Sequence, residues 1–215
     1  MRSRPTAPLP ADDAVQVETE RRVWDGRFPL DVVRFRQRRF DGGLSGLRTW
    51  ELWRRGRAAA VLPYDPDADA VVLIEQFRLP ALAAGIDPVL VELPAGLCEA
   101  EEDPAQTIVR EAVEETGLAP DRLARIAAVM LSPGGTDECC TLFAGRVRLP
   151  PVGPEGLLGH AGLADEDEDI RVRVWPAAAA IEAALAGRFP NALTMLALLW
   201  LGARRDGLRT EWSDR

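Results

Sequence analysis

Three glutamates, Glu111, Glu114 and Glu115, lie close together in the segment 96–118, GLCEAEEDPAQTIVREAVEETGL. If the segment is helical, spacings of three and four residues bring their carboxylates to one face, where the charges repel one another. Mg²⁺ binds carboxylate oxygens in octahedral geometry and takes its other ligands from water and substrate phosphates. In most proteins such a cluster is only a solvated helix face. Gly96, Arg110 and Gly117, at fixed positions around the glutamates, favour a metal site.

Local signals set the bounds of the helix that would carry these glutamates. Pro104 is suited to a first turn, where its missing N–H costs nothing, and Gly117 is suited to end the helix. The face away from the glutamates would then be the buried one, formed by Ile108, Val109, Ala112 and Val113.

The chain offers little for other kinds of active site. It has one histidine, His160, and three cysteines, of which Cys139 and Cys140 are adjacent and Cys98 stands alone, so no zinc spacing is present. Ser132 has no histidine near it in the sequence, and nothing indicates a Ser-His-Asp triad. We expect His160 to be an exposed loop residue and the cysteine pair to pack within a strand.

The segment matches, residue for residue, the signature box of the Nudix hydrolases, G-x5-E-x7-R-E-U-x-E-E-x-G-U with U apolar. The chain therefore resembles a family of metal-dependent pyrophosphatases that act on a nucleoside diphosphate linked to another moiety. The resemblance implies that Glu111 and Glu115 are metal ligands and Glu114 a further candidate. It also implies that Glu102 and Arg110 form a structural ion pair.

The sequences that flank the box narrow the resemblance. VVLIEQFRLPA and VLVELPAG precede the box, while LSPGGTDE (131–138) and GLADEDEDIRV (162–172) follow it. The combination is similar to the ADP-ribose pyrophosphatase branch of the family, over roughly residues 28 to 201.

In that branch, an alanine carbonyl and a flexible acidic loop complete the catalytic site. The resemblance implies that the carbonyl of Ala95 also binds metal, that Glu166 is the base that activates water, and that Glu168 is a further metal ligand. The five consecutive acids at 165–169 leave open which of them is the base. Such a run is also typical of a solvated loop.

The resemblance assigns substrate contacts to residues on both sides of the box. Trp50 would stack on adenine, Phe28 would add a second face, and Arg78 would reach the phosphates or the terminal ribose. A half-buried strand explains Trp50 and Trp53 equally well. The full expected set is Phe28, Trp50, Glu51, Arg55, Arg78, Leu97, Ser132, Pro133, Gly134 and Glu138. In the branch, N-terminal residues reach the site of the partner subunit, which implies a homodimer with shared active sites.

Composition is that of an ordinary soluble enzyme. The chain has 215 residues, 47% hydrophobic and 28% charged, with a net charge of −8 and a pI near 4.9. This charge argues against nucleic acid as a partner. The longest apolar stretch, 192–201, is too short to span a membrane, and the N-terminus lacks the apolar core of a signal peptide. We therefore expect a cytoplasmic protein without a disulfide framework.

The expected fold class is α/β (α+β): an α/β/α sandwich with a mixed sheet, plus a small N-terminal antiparallel β-sheet region. Residues 1–14 are expected to be disordered, 15–57 to serve dimerisation and substrate contacts, 58–205 to form the catalytic domain, and 206–215 to be a tail. Strands are predicted near 15–24, 29–40, 47–53, 58–64, 70–77, 125–131, 139–147 and 170–175. Two helices should follow at 176–186 and 191–203, and the Pro/Gly-rich linker 150–164 should be mobile.

The leading functional hypothesis is Mg²⁺-dependent hydrolysis of ADP-ribose to AMP and ribose 5-phosphate, with Mn²⁺ as a substitute metal. A loop glutamate would activate the attacking water. A second hypothesis keeps the chemistry but takes another nucleoside diphosphate sugar, such as GDP-mannose. A third is a sensor that binds a nucleotide sugar without cleaving it, which the complete box disfavours.

Overall fold

The structure is a computed structural model that describes residues 8–162 and 168–213. The chain divides into two units: Met1–Arg57 with Met130–Cys139, and Ala58–Val129 with Cys140–Arg215. Within the described residues, no helix is both long enough and apolar enough to cross a membrane.

The first unit contains the small antiparallel sheet that the sequence predicts. Its strands are β1 (Val15–Trp24), β2 (Leu30–Gln37) and β3 (Arg48–Trp53), in that order. Strand β1 is exposed along its whole length, whereas Val33 and Phe35 of β2 are buried. Just before β1, Ala14 N–H donates to the Asp12 carboxylate at 2.7 Å, so part of the segment expected to be disordered forms a turn.

The second unit is built on an eight-stranded sheet. The strand order is β10-β11-β5-β4-β9-β8, with β6 paired to β5 and β7 to β4. The strands are β4 (Arg57–Asp65), β5 (Ala70–Phe77), β6 (Val89–Glu92), β7 (Ala95–Leu97), β8 (Arg122–Met130), β9 (Cys139–Arg146), β10 (Leu157–Ala161) and β11 (Ile170–Pro176).

Both strand directions occur in this sheet. β11, β4 and β6 are antiparallel to their neighbour β5. By contrast, the N–H groups of Cys139 and Val147 bond the carbonyls of Gly56 and Tyr64, respectively, at the two ends of the β4–β9 pair. The number of residues between donor and acceptor along the chain is the same in both bonds, as it is when two strands run parallel. The expected mixed sheet is confirmed.

Helices cover both faces of the sheet. They are α1 (Leu79–Ala83), α2 (Pro104–Thr116), α3 (Ala177–Leu185) and α4 (Ala192–Trp212). Alternate residues of β4 belong to different cores, because successive side chains of a strand point to opposite faces. Leu62 and Tyr64 pack in the core that includes α3 and α4, while Ala59 and Val61 pack in the core that includes α2. The expected α/β/α sandwich is therefore confirmed.

The prediction of a mobile linker at 150–164 was wrong for residues 157–161. Leu157–Ala161 is strand β10, which pairs with β11, so that His160 lies opposite Arg171. His160 is exposed, as expected, but it belongs to a strand and not to a loop. The sequence signal was misleading because glycines and prolines flank an edge strand that is itself short.

The last helix is longer than predicted. It begins at Ala192 but continues past the predicted end at Ala203 to Trp212, so residues 206–212, expected as a tail, are its final turns. Leu208 and Trp212 are buried there, and the Asp69 carboxylate accepts a hydrogen bond from Arg205 Nε at 2.8 Å. These tertiary contacts stabilise turns whose own sequence is polar.

Candidate active site

Helix α2 presents the glutamates of the box and has the predicted ends. The Asp103 side chain accepts from Ala105 N–H at 2.9 Å, which caps the first turn, and Pro104 follows as the first helical residue. Gly117 closes the helix in the left-handed conformation, with φ of 73°. The glutamates are thus held on a short helix with both ends defined.

The buried face of α2 differs from the prediction. Ile108 and Ala112 are fully buried, but Val113 is 44% exposed and Glu115 only 5% exposed. Glu115 points inward because its Oε2 accepts a hydrogen bond from Ala95 N–H at 3.0 Å, which gives this half-buried backbone donor its partner. The prediction that all three glutamates lie on the face away from the core was therefore wrong for Glu115.

Strand β7 brings the backbone of Ala95 and Gly96 against the same helix. A Cβ added at Gly96 would lie 2.0 Å from the carboxyl carbon of Glu111. Only glycine leaves room for that carboxylate. Three of the expected metal ligands, Ala95, Glu111 and Glu115, are therefore brought together.

The negatively charged forms of Glu111 and Glu115 are disfavoured at this position. Burial raises the pKa of Glu115 to about 8, and the charges of Glu111 and Glu168 add to the shift, whereas Ala95 N–H and Arg78 oppose it. Burial likewise raises the pKa of Glu111, with Glu168 again contributing. Crowded carboxylates of this kind are relieved by a cation.

The donor set suits a hard divalent cation. It consists of carboxylate oxygens and a backbone carbonyl, which are the ligands that Mg²⁺ takes from proteins. Within residues 8–162 and 168–213, no three histidine, cysteine, aspartate or glutamate side chains are already close enough to hold a metal ion. The residues present thus fit Mg²⁺ in chemistry, with carboxylates that must draw together around the ion.

Arg110 ties the box glutamates to one another. Its guanidinium pairs with Glu111 at 2.9 Å, with Glu114 at 3.2 Å and with Glu102 at 3.6 Å. The Glu102–Arg110 ion pair predicted from the resemblance is confirmed. Glu102 also accepts from Glu99 N–H at 2.9 Å, which connects the loop before α2 to this network. Arg110 therefore orients the acids and offsets part of their repulsion.

The acidic loop is described only at its ends. Glu166, the expected base, lies outside the described residues. Glu168 lies inside them and is near enough to raise the pKa values of Glu111 and Glu115. A Cβ at Gly162 would be 2.7 Å from the Glu168 carbonyl oxygen, so the two ends of the loop meet.

Two of the expected substrate-binding residues, Arg78 and Leu97, lie in the same unit as these carboxylates. Arg78 follows β5, and its Nε donates to Glu92 Oε2 at 2.7 Å. Its charge lowers the pKa of Glu115, which places the guanidinium near the cluster. Leu97 is the half-buried last residue of β7.

The first unit contains an aromatic groove of about 950 Å³. Four of the residues expected to bind substrate line it: Phe28, Trp50, Glu51 and Gly134. Trp24 and Trp53, which are 66% and 43% exposed, also line it. The remaining lining residues are Arg27, Leu30, Val32, Thr49 and Gly135.

Of these, sequence reasoning missed Trp24 altogether, although a tryptophan at the end of an exposed strand was the available signal. The strand hypothesis for Trp50 is confirmed, and stacking on adenine stays a prediction. It lies in strand β3 with its ring edge-on to Phe35 at 5.4 Å between centroids, yet it remains 44% exposed.

Arg55 is packed between rings and an acid next to this groove. Its guanidinium carbon lies 4.2 Å from the centroid of Phe28 and 4.9 Å from that of Trp53. Its Nε and Nη2 also donate to the two carboxylate oxygens of Glu138, at 3.1 and 3.3 Å. Arg55 and Glu138, both expected to contact substrate, are thus bound to each other, a geometry that is stiff and well oriented.

Asp137 fastens the 131–138 loop to the chain around Arg55, a role that the sequence did not reveal. Its Oδ1 accepts from the N–H groups of Arg55 and Gly56 at 2.6 and 2.9 Å, and its Oδ2 pairs with the buried Arg54 at 3.1 Å. The other two expected loop contacts, Ser132 and Pro133, do not line the groove.

Comparison with known proteins identifies the family. The NUDIX domain model matches residues 54–196. The chain is 38% identical over 199 residues to the ADP-ribose pyrophosphatase of Escherichia coli (strain K12), covering 93% of each protein. It is 34% identical over 152 residues to the GDP-mannose pyrophosphatase of Salmonella arizonae, covering 70% of this chain and 76% of that protein.

A solved structure has the same fold. The crystal structure of an ADP compounds hydrolase superposes with a TM-score of 0.64 at 18% identity, covering 95% of this chain and 99% of that one. With the intact box, the clustered acids and the matches to the family, this chain belongs to the Nudix family and is a Nudix hydrolase.

Proposed function

We propose that this protein hydrolyses the pyrophosphate bond of ADP-ribose, giving AMP and ribose 5-phosphate, in a reaction that requires Mg²⁺ and accepts Mn²⁺ as a substitute. The observation that carries the chemistry is the convergence of Glu111 and Glu115 on the backbone of Ala95 and Gly96. The substrate is supported by the 38% identity to the Escherichia coli ADP-ribose pyrophosphatase across 93% of both chains.

The residues that would hold the metal are Ala95, through its carbonyl oxygen, and Glu111, Glu115 and Glu168, through their carboxylates. When bound, divalent cations neutralise phosphate oxygens and lower the pKa of a coordinated water. Arg110 keeps Glu111 in place by its 2.9 Å ion pair.

The protein must also remove a proton from the attacking water. We assign this step to Glu166, because it belongs to the acidic loop whose ends meet at Gly162 and Glu168. A positioned carboxylate base contributes a rate factor of about 10²–10⁴.

The nucleoside end of the substrate needs an apolar face and polar partners. The aromatic groove offers both, with Phe28 and Trp50 for stacking on the base and Glu51 for polar contact. Arg55, Leu97, Ser132, Pro133, Gly134 and Glu138 are proposed as further substrate contacts, and Arg78 as a phosphate contact.

We further propose a homodimer in which the N-terminal sheet contributes to the site of the partner subunit. Val15, Val17 and Val23 of β1 are exposed by 38 to 43%, and Trp24, Trp50 and Trp53 by 43 to 66%. Apolar surface of this extent is typical of an interface. The composition supports the cytoplasm as the compartment.

GDP-mannose is the second candidate substrate. It is favoured by the 34% identity to the Salmonella arizonae GDP-mannose pyrophosphatase over 70% of this chain. The metal-binding acids do not distinguish the two substrates, because the pyrophosphate is common to both. The groove must do so through its contacts with the base.

The test is an assay of the purified protein with Mg²⁺ and ADP-ribose, GDP-mannose, UDP-glucose, NADH or a diadenosine polyphosphate, with products separated by chromatography. We expect AMP from ADP-ribose, and no product with EDTA. Glu115→Gln should reduce turnover by at least about 10²-fold, since it removes a charged ligand. Asp69→Asn, a matched amide substitution outside the site, should keep turnover. Faster cleavage of GDP-mannose would favour the second candidate, and full activity of Glu115→Gln would contradict the metal assignment.

A further inference from the structure

Glu92, the last residue of β6, is a buried carboxylate to which neither the sequence nor the catalytic proposal gives a role. It is only 5% exposed. Its Oε2 accepts from Arg78 Nε at 2.7 Å, and its Oε1 accepts from Asn191 Nδ2 at 2.6 Å. A buried carboxylate is costly unless it is paired and hydrogen-bonded, so both partners are needed to keep it there.

The ion pair between Glu92 and Arg78 is unequal in exposure. The Glu92 side chain is 6% exposed and that of Arg78 is 42% exposed. Arg78 uses only its Nε in this pair, and its Nη atoms make no hydrogen bond within the described residues. Because the guanidinium is planar, a bond at Nε fixes the direction in which the Nη donors point. An arginine held in this way presents a fork suited to a phosphate.

The other side of Glu92 is anchored to a long helix. Asn191 caps the 21-residue helix α4: its Oδ1 accepts from Thr194 N–H at 3.1 Å and from Thr194 Oγ1 at 3.3 Å. These bonds orient the Asn191 amide, so that its Nδ2 faces Glu92. Glu92 therefore cannot follow Arg78 if the arginine moves, because its second oxygen is held by the start of α4.

The chain just after Glu92 leads to Ala95, whose backbone contacts a proposed metal ligand. Three residues later, Ala95 N–H holds Glu115, and between them the Pro94 carbonyl accepts from Val61 N–H at 3.0 Å. One short segment thus anchors Arg78 at one end and Glu115 at the other. Arg78 is close enough to Glu115 to lower its pKa.

We propose that Glu92 is a positioning residue that aims the Nη donors of Arg78 at the phosphates of a bound nucleoside diphosphate sugar. This inference rests on the proposed function, since it needs a pyrophosphate beside the carboxylates. Glu92 itself touches no substrate. Its effect comes from pre-organisation: an arginine that is already oriented loses less conformational freedom when the phosphate binds.

The test is a double-mutant cycle with Glu92→Gln, Arg78→Ala and the combined variant, measured as KM and kcat for ADP-ribose with Mg²⁺. Glutamine keeps the size of the side chain but places an amide N–H where one of the two donors must bond. We expect Glu92→Gln to raise KM by about tenfold, the loss of one oriented charged hydrogen bond, and to change kcat by less than about twofold. In the Arg78→Ala background, it should raise KM no further, because no guanidinium remains to be oriented.

Two further variants separate positioning from a merely structural role. Asp69→Asn also replaces an arginine-paired carboxylate by an amide, but Asp69 precedes β5 and pairs with Arg205 of helix α4, which is not among the proposed site residues. It should lower thermal stability and leave KM unchanged. Glu92→Asp keeps the charge and shortens the reach, so it should raise KM even if Glu92→Gln does not fold.

Equal increases in KM from Glu92→Gln with and without Arg78, or an unchanged KM in both Glu92 variants, would overturn the positioning role while the proposed function stands. A wild-type protein that neither cleaves nor binds ADP-ribose or GDP-mannose would overturn the proposed function, and the positioning role with it.

Discussion

Substitution of Gly96 by alanine should lower kcat at least about 10²-fold without unfolding the protein. The new Cβ would lie 2.0 Å from the Glu111 carboxyl carbon, whereas ordinary van der Waals contact begins at 3.4 Å. The carboxylate must therefore move by about 1.4 Å, the difference between these two distances. A displacement of about 1 Å at a catalytic group can cost about 10²-fold in rate, so we expect at least that loss in kcat.

The fold should tolerate the same change. The atoms that the Cβ meets are at the end of the flexible Glu111 side chain and not in the backbone. Alanine also restricts the unfolded chain, which stabilises by about 0.4–1 kcal/mol where the backbone allows it. Thermal denaturation should thus give a Tm within a few degrees of the wild type.

The assay is Mg²⁺-dependent release of AMP from ADP-ribose, followed by chromatography. Gly159→Ala is the matched control, because a Cβ there meets nothing within 4 Å. It should keep wild-type turnover. If Gly96→Ala folded and retained wild-type kcat, Glu111 would not need its position against β7, and the proposed arrangement of metal ligands would be refuted.

Two more predictions concern stability and the loop of the first unit. Hydrogen bonds from Arg205 hold the pKa of Asp69 below its ordinary 3.8. The stability that this pair provides is therefore present above the ordinary carboxyl pKa and is lost as pH falls through the lowered one. Asp69→Asn should lower the free energy of unfolding by about 2 kcal/mol at neutral pH and by progressively less in acid. Urea denaturation at several pH values would measure this. A difference between variant and wild type that does not change with pH would contradict the contribution of the lowered Asp69 pKa to stability. Asp137→Ala removes the acceptor for the N–H groups of Arg55 and Gly56, and should raise KM by about tenfold with kcat nearly unchanged. Unchanged KM in steady-state assays would show that the 131–138 loop is held by other contacts.

Sequence reasoning succeeded where the signal was local. Pro104 and Gly117 mark the ends of α2 through their own backbone preferences, which no tertiary contact had to supply. The prediction failed where a contact with a residue distant in the sequence determines the position of a side chain. Val113 and Glu115 exchanged their expected environments because the backbone of Ala95 needs an acceptor, which helical periodicity does not include.

Contacts between residues distant in the sequence also determine structure elsewhere in the chain. The end of α4 depends on burial of Trp212, and strand β10 exists because β11 offers it an edge. Ala95 was expected beside the box glutamates only from the family resemblance, which implies that its carbonyl binds metal. Asp137 and Glu92 act through backbone and buried contacts that a single sequence does not display.

Strand β4 lies within the sheet, with both faces covered, and Ala59 and Ala60 have no exposed surface. It pairs directly with β7, Ala60 opposite Ala95 and Ala59 opposite Gly96. Amides of such a strand exchange with solvent only when the whole domain opens. The backbone of β7, against which Glu111 and Glu115 pack, is hydrogen-bonded to this slowly exchanging strand. On heating, the packing of Glu111 and Glu115 against this backbone should therefore persist until the second unit itself unfolds.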